Sequence, residues 1–178
     1  MGSRVKEQRV LKTGLLGKRE ILLFGEVDTD TSKEVVKSLR LLGHKRKSIT
    51  LWINSPGGDV TNGIAIIDSI RTIRSPVVTI TIGEACSMTA FIFIVGDKRI
   101  ITKNSIIMFH PISGGVNDDY ISFTKDRIKG LEYIDKITND ILKKRTKLTK
   151  KEIEKARKGE LWLTAEMALK KGVADSIL

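Results

Sequence analysis

Short apolar runs alternate with amphipathic stretches along the chain from Glu20 onward. Short runs of consecutive apolar residues, closed by glycine, proline or charged residues, predict buried strands, whereas apolar positions three or four residues apart predict helices. The predicted strands are 21–24, 49–53, 77–82, 99–102 and 106–109, and the predicted helices are 31–42, 59–73, 88–95, 119–147 and 164–171. Strands that alternate with helices predict parallel pairing in an α/β fold with helices on both faces of the sheet.

Capping signals and apolar faces refine these helices. Thr31 with Glu34 has the spacing of a capping box, and Thr164 and Gly172 suit the start and the end of the last helix. The segment 88–95 is apolar on every side, which predicts a fully buried helix. The helix 119–147 has only a narrow seam of isoleucines and leucine, which predicts packing along a single stripe.

Two turns are expected to hold the chemistry, because sites in open α/β sheets lie at the carboxyl ends of strands. They are 55–59 and 83–88. Ser87 opens the buried helix, where free backbone N–H groups and the positive helix end would favour an anion beside its hydroxyl. A serine at this place can also serve only as a helix cap.

Neighbouring residues favour the catalytic interpretation. The N–H groups of Gly58 and Met88, one from each turn, would form an oxyanion hole. His110 ends a predicted strand and could act as the base for Ser87, whereas His44 lies in a basic loop and is set aside. Spacing leaves the acid open among Asp118, Asp119, Asp126, Glu160 and Asp175.

Composition excludes several classes of protein. The single cysteine, Cys86, excludes an intramolecular disulfide, and two histidines argue against a zinc cluster. The longest apolar segment, 88–95, is too short to cross a membrane, and the polar start of the chain does not resemble a signal peptide. We therefore expect a cytoplasmic protein with neither a metal nor another cofactor.

The net charge of +11 lies outside the candidate chemistry. Residues 1–47 carry +6 and residues 143–158 carry +7, whereas 48–142 and 159–178 each carry −1. The basic excess therefore predicts salt-sensitive assembly and an effect on which peptides approach. No motif or aromatic interleaving supports nucleic-acid binding.

Five stretches resemble one protein family in order and in spacing. They are LLGKREILLFGEV (15–27), ITLWINSPGGDVTNGIAIIDSI (49–70), TIGEACSMTAF (81–91), NSIIMFHPISGG (104–115) and LTAEMALKKGVADSIL (163–178). Residues 15–178 are thereby similar to the proteolytic subunits of the Clp (caseinolytic) protease, the ClpP family of serine peptidases. The resemblance implies the spiral of βαβ units that this family shares with crotonases.

The resemblance also implies roles for individual residues. Ser87 corresponds to the nucleophile, His110 to the general base, and Gly58 and Met88 to the oxyanion donors. Glu160 stands where the family normally has an aspartate, and its extra methylene shifts the carboxylate by about 1 Å, a distance that matters in catalysis. Two further departures are a connection before His110 that is about two residues shorter, near 97–99, and a proline directly after that histidine.

Substrate and assembly follow from the same likeness. A substrate peptide would lie extended along Gly57, Ile112, Gly114 and Gly115, by strand addition. The helix of about 119–147 resembles the handle by which stacked heptameric rings interlock.

The N-terminal arm, 1–14, is expected to stand apart from a single peptidase domain, 15–178. It differs from the apolar and aromatic loop that meets an AAA+ unfoldase ATPase in typical members.

The sequence thus favours a serine endopeptidase that cleaves short or unfolded polypeptides inside a ring chamber. A non-catalytic ring subunit is the main alternative, motivated by the unusual acid and arm. A phage head-maturation protease of the same fold is another. A crotonase-type acyl-CoA protein would have no need for the pair Ser87 and His110.

Overall fold

The computed structural model describes residues 16–112 and 121–178, with the side chains of 121–124 and of Arg127 excepted. The strands are β1 (Glu20–Phe24), β2 (Ile49–Ser55), β3 (Val77–Cys86), β4 (Lys98–Ile101), β5 (Ile106–Phe109), β6 (Leu161–Thr164) and β7 (Ser176–Ile177). The helices are α1 (Thr29–Leu42), α2 (Val60–Thr72), α3 (Met88–Ile94), α4 (Ile121–Arg145), α5 (Lys150–Lys158) and α6 (Ala165–Lys170). These elements confirm the predicted α/β class.

The sheet forks at β3, its longest strand. Strands β1, β2, β3, β4 and β7 lie side by side and are parallel, with β3 in the middle. The first part of β3 pairs with β4, whereas its last residues, Glu84 to Cys86, pair with β5. The predicted turn over 83–86 is therefore wrong, because β5 extends the ladder through this segment. Strand β6 then adds to β5 in the antiparallel direction.

Side-chain caps start the helices that follow β1 and β2. Asp28 accepts a hydrogen bond from Thr31 N at 2.8 Å, and Asp59 accepts one from Asn62 N at 2.8 Å. The predicted cap at Thr31 is wrong. The N-cap is Asp28, three residues earlier, and its carboxylate accepts from the amide of Thr31. Thr164 does cap α6, as predicted, by accepting from Met167 N.

The core is aliphatic and encloses α3. All seven residues of this helix are buried, which confirms the prediction for the apolar segment. Phe91 of α3 packs edge-to-face on Phe109 of β5, with ring centroids 5.3 Å apart. The contact holds α3 against β5, the strand that precedes His110, and such ring pairs contribute about 0.5–1.5 kcal/mol beyond their burial.

One face of β1 is open in the single chain. Leu22 and Phe24 are 45% and 44% exposed, whereas Ile21 and Leu23 between them are buried. The expectation of helices on both faces of the sheet is therefore wrong at this edge. Side chains alternate between the two faces of a strand, so one face packs on the core and the other meets solvent.

Helix α4 is buried only near its carboxyl end. Ile141 and Leu142 are buried there, whereas Ile128 and Tyr133 are 44% and 67% exposed. Arg145 anchors the buried end, since its guanidinium donates to the carbonyl oxygens of Ile94 and Gly96 at the end of α3. The first half of the helix thus projects from the domain.

The predicted strands and helices omit α5, β6 and β7. The α5 segment is highly charged and buries only Ile153 and Ala156, so its apolar pattern is short. Strand β6 is a four-residue run. The arm 1–14 lies outside the described residues. Within 16–112 and 121–178 the structure has no helix of the length and apolarity that membrane crossing requires.

Candidate active site

Ser87 stands between β3 and α3 in a backbone conformation that residues with side chains rarely adopt. Its φ is 54° and its ψ is −124°, and such geometry costs about 1–3 kcal/mol. Its amide donates to Met108 O at 2.8 Å, and its carbonyl accepts from Ala90 N at 3.1 Å. The side chain makes no capping bond to α3. The hydroxyl is therefore displayed by the strained turn and does not act as a helix cap.

Hydrogen bonds join the turn after β2 to the turn after β3. The Thr89 hydroxyl lies 2.7 Å from Cys86 O and 3.0 Å from Ser55 O, so its proton connects the two turns. The buried hydroxyl of Ser55 in turn accepts from Gly57 N at 3.1 Å. These bonds place the two predicted site turns side by side.

Gly57 and Gly58 allow the turns to approach this closely. Their φ values are +103° and +146°, in the region that favours glycine. A Cβ atom on Gly57 would lie 2.6 Å from the Cβ of Ser87 and 3.1 Å from Met88 N. Among the described residues, neither Gly58 N–H nor Met88 N–H has a hydrogen-bond acceptor. Two free amides thus lie beside the serine.

A cavity of about 50 Å³ brings the predicted groups together. It is lined by Gly58, Val60, Ser87, Met88, Phe91, His110, Pro111, Ile112 and Thr138. His110 enters it directly after β5, whose Met108 holds the amide of Ser87. The serine, the histidine and the two residues with free amides therefore line one small cavity.

Glu160 lies across from His110 at the end of the β5–β6 ladder. The last antiparallel pair is Phe109 with Leu161, so His110 and Glu160 come next in register. The carboxylate of Glu160 accepts a hydrogen bond from Trp162 Nε1 at 2.7 Å. Within the described part of the chain, no hydrogen bond joins the side chains of Ser87, His110 and Glu160.

The other candidate acids are bound elsewhere or lie outside the described residues. Asp175 pairs with the Arg99 guanidinium, and it also accepts from the Arg99 amide at 2.9 Å. Asp126 pairs with Lys129 on the exposed part of α4. Asp118 and Asp119 fall in the segment that the structure does not describe. Of the five candidates, only Glu160 is described beside His110.

A further carboxylate near His110 is Asp135 of α4. It lines a second, very small cavity together with His110 and Arg157. Arg157 Nη2 donates to Asp135 Oδ2 at 2.6 Å, and Asn139 Nδ2 donates to the same oxygen at 3.1 Å. Asp135 thus belongs to an ion pair that tethers α4 to α5.

Cys86 precedes Ser87 but is a poor nucleophile. Its thiol is buried and free. Burial, then the carboxylate of Glu84 at 3.4 Å and the charge of Glu160, raise its pKa to about 12. Because the thiolate is the reactive form of cysteine, the thiol stays protonated and inert at neutral pH.

The remaining predicted residues are only partly described. Ile112 lines the cavity, whereas Gly114 and Gly115 lie outside the described residues. Among residues 16–112 and 121–178, no group of three or more histidine, cysteine, aspartate or glutamate side chains could hold a metal ion.

Three residues at the site carry no signal in the sequence pattern. Thr89 bridges the turns, Thr138 lines the cavity from α4, and Trp162 binds Glu160. Thr89 follows the serine by two residues, but its spacing carries no hydrogen-bonding signal. Thr138 is brought in from a distant helix, so no local pattern could have identified it.

Comparisons with known proteins give two matches. Residues 4–178 match the family model described as Clp protease. The chain is similar to a protein described as ATP-dependent Clp protease proteolytic subunit 1 from Rhodopirellula baltica, with 34% identity over 179 residues. That match covers 97% of this chain and 78% of the relative.

Proposed function

The chain belongs to the Clp protease family, and we propose that it is a serine endopeptidase that cleaves peptide bonds in short or unfolded polypeptides. Ser87 is the proposed nucleophile, His110 the general base, and Glu160 the acid that orients the histidine. The observation that carries the proposal is the strained Ser87, which lines one small cavity together with His110 and the two residues whose amides are free, Gly58 and Met88.

The proposed reaction begins when Ser87 Oγ attacks the substrate carbonyl carbon. His110 accepts the hydroxyl proton and later returns it to the leaving amine. Water then attacks the acyl-enzyme, again with His110 as base, and releases the second product. Glu160, opposite His110 in the ladder register, stabilises the imidazolium and selects the ring orientation.

The free amides of Gly58 and Met88 are the proposed oxyanion donors. Met88 is the first residue of α3, so its N–H has no partner within the helix. The turn at Gly57 packs against this N–H, because a Cβ atom on Gly57 would lie 3.1 Å from Met88 N, and Gly58 is the next residue of that turn. Donors that are already oriented need no rearrangement when charge develops, and losing one of them costs roughly 10²–10³ in rate.

A substrate segment would bind extended beside residue Ile112 and the turn at Gly57. Ile112 leads from β5 into the segment that contains Gly114 and Gly115, the proposed edge for strand addition. Such binding reads the backbone of the substrate and favours unfolded chains over folded ones.

Members of this family generally form oligomeric rings and work with Clp ATPases. For this chain we propose stacked heptamers, with the projecting half of α4 as the handle between rings. The exposure of Ile128 and Tyr133 supports this role, because apolar side chains on a projecting helix are typical of interfaces. The open face at Leu22 and Phe24 supports docking of an AAA+ ATPase.

A cytoplasmic location is part of the proposal. The one cysteine of the chain is free and buried, so folding requires no oxidising compartment.

The decisive test compares the protein with its Ser87→Ala variant in a fluorogenic peptide assay. We expect cleavage and labelling by a serine-directed phosphonate in the parent, and neither in the variant. Native mass spectrometry of both proteins should give the same ring mass. Labelling that persists in Ser87→Ala would overturn the assignment of the nucleophile.

A catalytically silent ring subunit is the second candidate. The observation that favours it is the Glu160 carboxylate, which is bound to Trp162 and not to His110. A ring of the expected mass without cleavage or labelling would support this candidate over the peptidase.

A further inference from the structure

The Glu160 carboxylate has a dedicated hydrogen-bond donor in Trp162. The indole Nε1–H donates to Oε2 at 2.7 Å. The two residues are separated by one position at the start of β6, so their side chains project on the same side of the strand. An ionised carboxylate accepts hydrogen bonds at both oxygens, so Oε1 remains available for a second donor.

The β5–β6 register, extended by one residue, places Glu160 opposite His110. Trp162 pairs with Met108, and His110 follows Met108 by two residues on the same face. Side chains directly opposite each other in an antiparallel pair have Cβ atoms about 4.5–5.5 Å apart. Glu160 therefore has the Trp162 indole as an observed partner, and the extended register makes the imidazole of His110 its expected second partner.

The backbone that carries the indole is firmly held. Leu161 and Leu163, on either side of Trp162, are 4% and 1% exposed and pack into the core. Trp162 itself is 46% exposed. The two buried leucines thus hold the main chain of β6 in the core. The indole of Trp162 lies on the solvent-facing side of the strand, where it contacts Glu160.

A glutamate at this place needs such support more than a shorter acid would. Its additional rotatable bond gives the carboxylate more conformations, and all but one of these must be given up in a productive contact, at a cost in entropy. A fixed donor on one oxygen removes most of that freedom. The influence of Glu160 on the pKa of Cys86 agrees with a carboxylate held close to the end of β3.

We propose that Trp162 is a positioning residue for catalysis: its indole N–H holds one oxygen of Glu160 so that the other can accept from His110. The inference deepens the proposed function and rests on it. Trp162 acts through Glu160 and does not itself contact the substrate.

The first experiment is Trp162→Phe, which keeps an aromatic ring and removes the donor. We expect kcat/KM to fall roughly tenfold to hundredfold, the range that a misplacement of about 1 Å produces. The matched control is Trp52→Phe in β2, the same substitution at the other tryptophan. It should leave kcat/KM unchanged.

The pH profile separates positioning from a general loss of structure. The charged groups around His110 are Glu160, which directly precedes β6 and comes next in register, and the ion pair of Asp135 and Arg157 from α4 and α5. The neutral thiol of Cys86 lies at the end of β3. Only the place of Glu160 changes in Trp162→Phe. A displaced carboxylate stabilises the imidazolium less, so the acid limb of kcat/KM should move to lower pH.

A double-variant cycle tests whether the effect passes through Glu160. In a Glu160→Ala background, Trp162→Phe should change the phosphonate labelling rate less than twofold. If Trp162→Phe fails to fold, the indole N–H resonance of Trp162 in the Trp52→Phe protein gives an independent measurement. It should shift when Glu160 is changed to Ala.

Three outcomes would overturn the inference while the parent enzyme remains active. They are an unchanged kcat/KM and pH profile in Trp162→Phe, a gain in activity, or an equal loss with and without Glu160. A gain would mean that the indole holds Glu160 away from His110. A parent protein without cleavage or labelling would instead defeat the proposed function itself.

Discussion

Gly57 touches the proposed nucleophile so closely that a Cβ atom there would lie 2.6 Å from the Cβ of Ser87. The same atom would lie 2.7 Å from the carbonyl oxygen of Cys86. Real Cβ atoms do not approach other atoms to this distance, and the neighbours are backbone or the serine itself. The two site turns therefore pack through a glycine, and the geometry of the serine depends on it.

Replacing Gly57 by Ala should disable the enzyme with little change of secondary structure. The methyl group would push the Ser87 turn away, and the φ of +103° would be strained for alanine. We expect kcat/KM to fall by at least about a hundredfold, as for other misplacements on the ångström scale. Gly17→Ala is the matched control, since a Cβ there meets nothing within 4 Å. Full activity in Gly57→Ala would refute the packing argument.

Loss of charge at Glu160 should lower activity, whereas loss of charge at Asp175 should lower stability. Glu160→Gln is expected to lower kcat/KM roughly 10²–10⁴-fold, because the imidazolium loses its counter-charge. Asp175→Asn should leave kcat/KM close to that of the parent but lower the melting temperature, since it breaks the pair with Arg99. Peptide cleavage and thermal melts of both variants give the comparison. The reverse pattern would identify Asp175 as the acid.

Thr89→Val tests the hydroxyl bridge between the two turns. Valine keeps the shape of threonine and removes the proton that Cys86 O and Ser55 O share. Two buried carbonyls would lose this donor, so we expect a loss of about 1–3 kcal/mol in the free energy of unfolding. Denaturant titration measures it. Thr72→Val on the exposed end of α2, which removes a hydroxyl bond within one helix, should cost much less.

Stability should depend on pH through Glu152. Its carboxylate accepts from Lys171 Nζ at 2.5 Å and from Thr149 N at 2.8 Å, and these bonds lower its pKa to about 2. Since the ordinary value is 4.5, the contribution is full above about pH 4.5 and is lost as the pH falls toward 2. Glu152→Gln should cost about 0.2–1 kcal/mol at pH 7, because it removes the charged partner of Lys171 and keeps an oxygen for the Thr149 amide.

The difference between parent and Glu152→Gln should therefore shrink as the pH is lowered. Urea titrations at pH 7, near pH 4.5 and near pH 2 measure this directly. Glu154→Gln is the control on the same helix, because Glu154 and its partner Lys158 are both exposed. A difference that grows toward acid would contradict the assignment of the lowered pKa to these bonds.

Much of the fold could be predicted because its elements are locally encoded. The seam of α4 has the period of a helix, the run of α3 is apolar on every side, and the five predicted strands carry short apolar runs. The wrong predictions concern features that depend on residues far apart in the chain. The segment 83–86 looks like a turn and becomes strand because β5 pairs with it. Leu22 and Phe24 lie in a run that predicts a buried strand, but they are exposed, because no helix within 16–112 and 121–178 covers that face of β1.

The candidate site likewise contains residues that the sequence predicts and residues that only tertiary contacts bring together. Ser87, His110 and the two glycine turns could be identified because each follows a predicted strand, and strand ends meet at one edge of the sheet. Spacing alone left the acid open and the family resemblance pointed to Glu160, whereas the register that brings Glu160 next to His110 comes from β6, a strand that the pattern did not predict. Thr138 and Trp162 could not be found, since only packing and register bring them to the site.

The sequence by itself determined the α/β class, the family and the chemically capable residues, because periodicity, turn residues and motifs are properties of neighbouring positions. The tertiary structure decided which of these residues meet. It placed the turn of Gly57 against Ser87, put Glu160 opposite His110 and gave Glu160 an indole partner. Strand register and the crossing of turns set these relationships, and both arise from contacts between residues far apart in the chain.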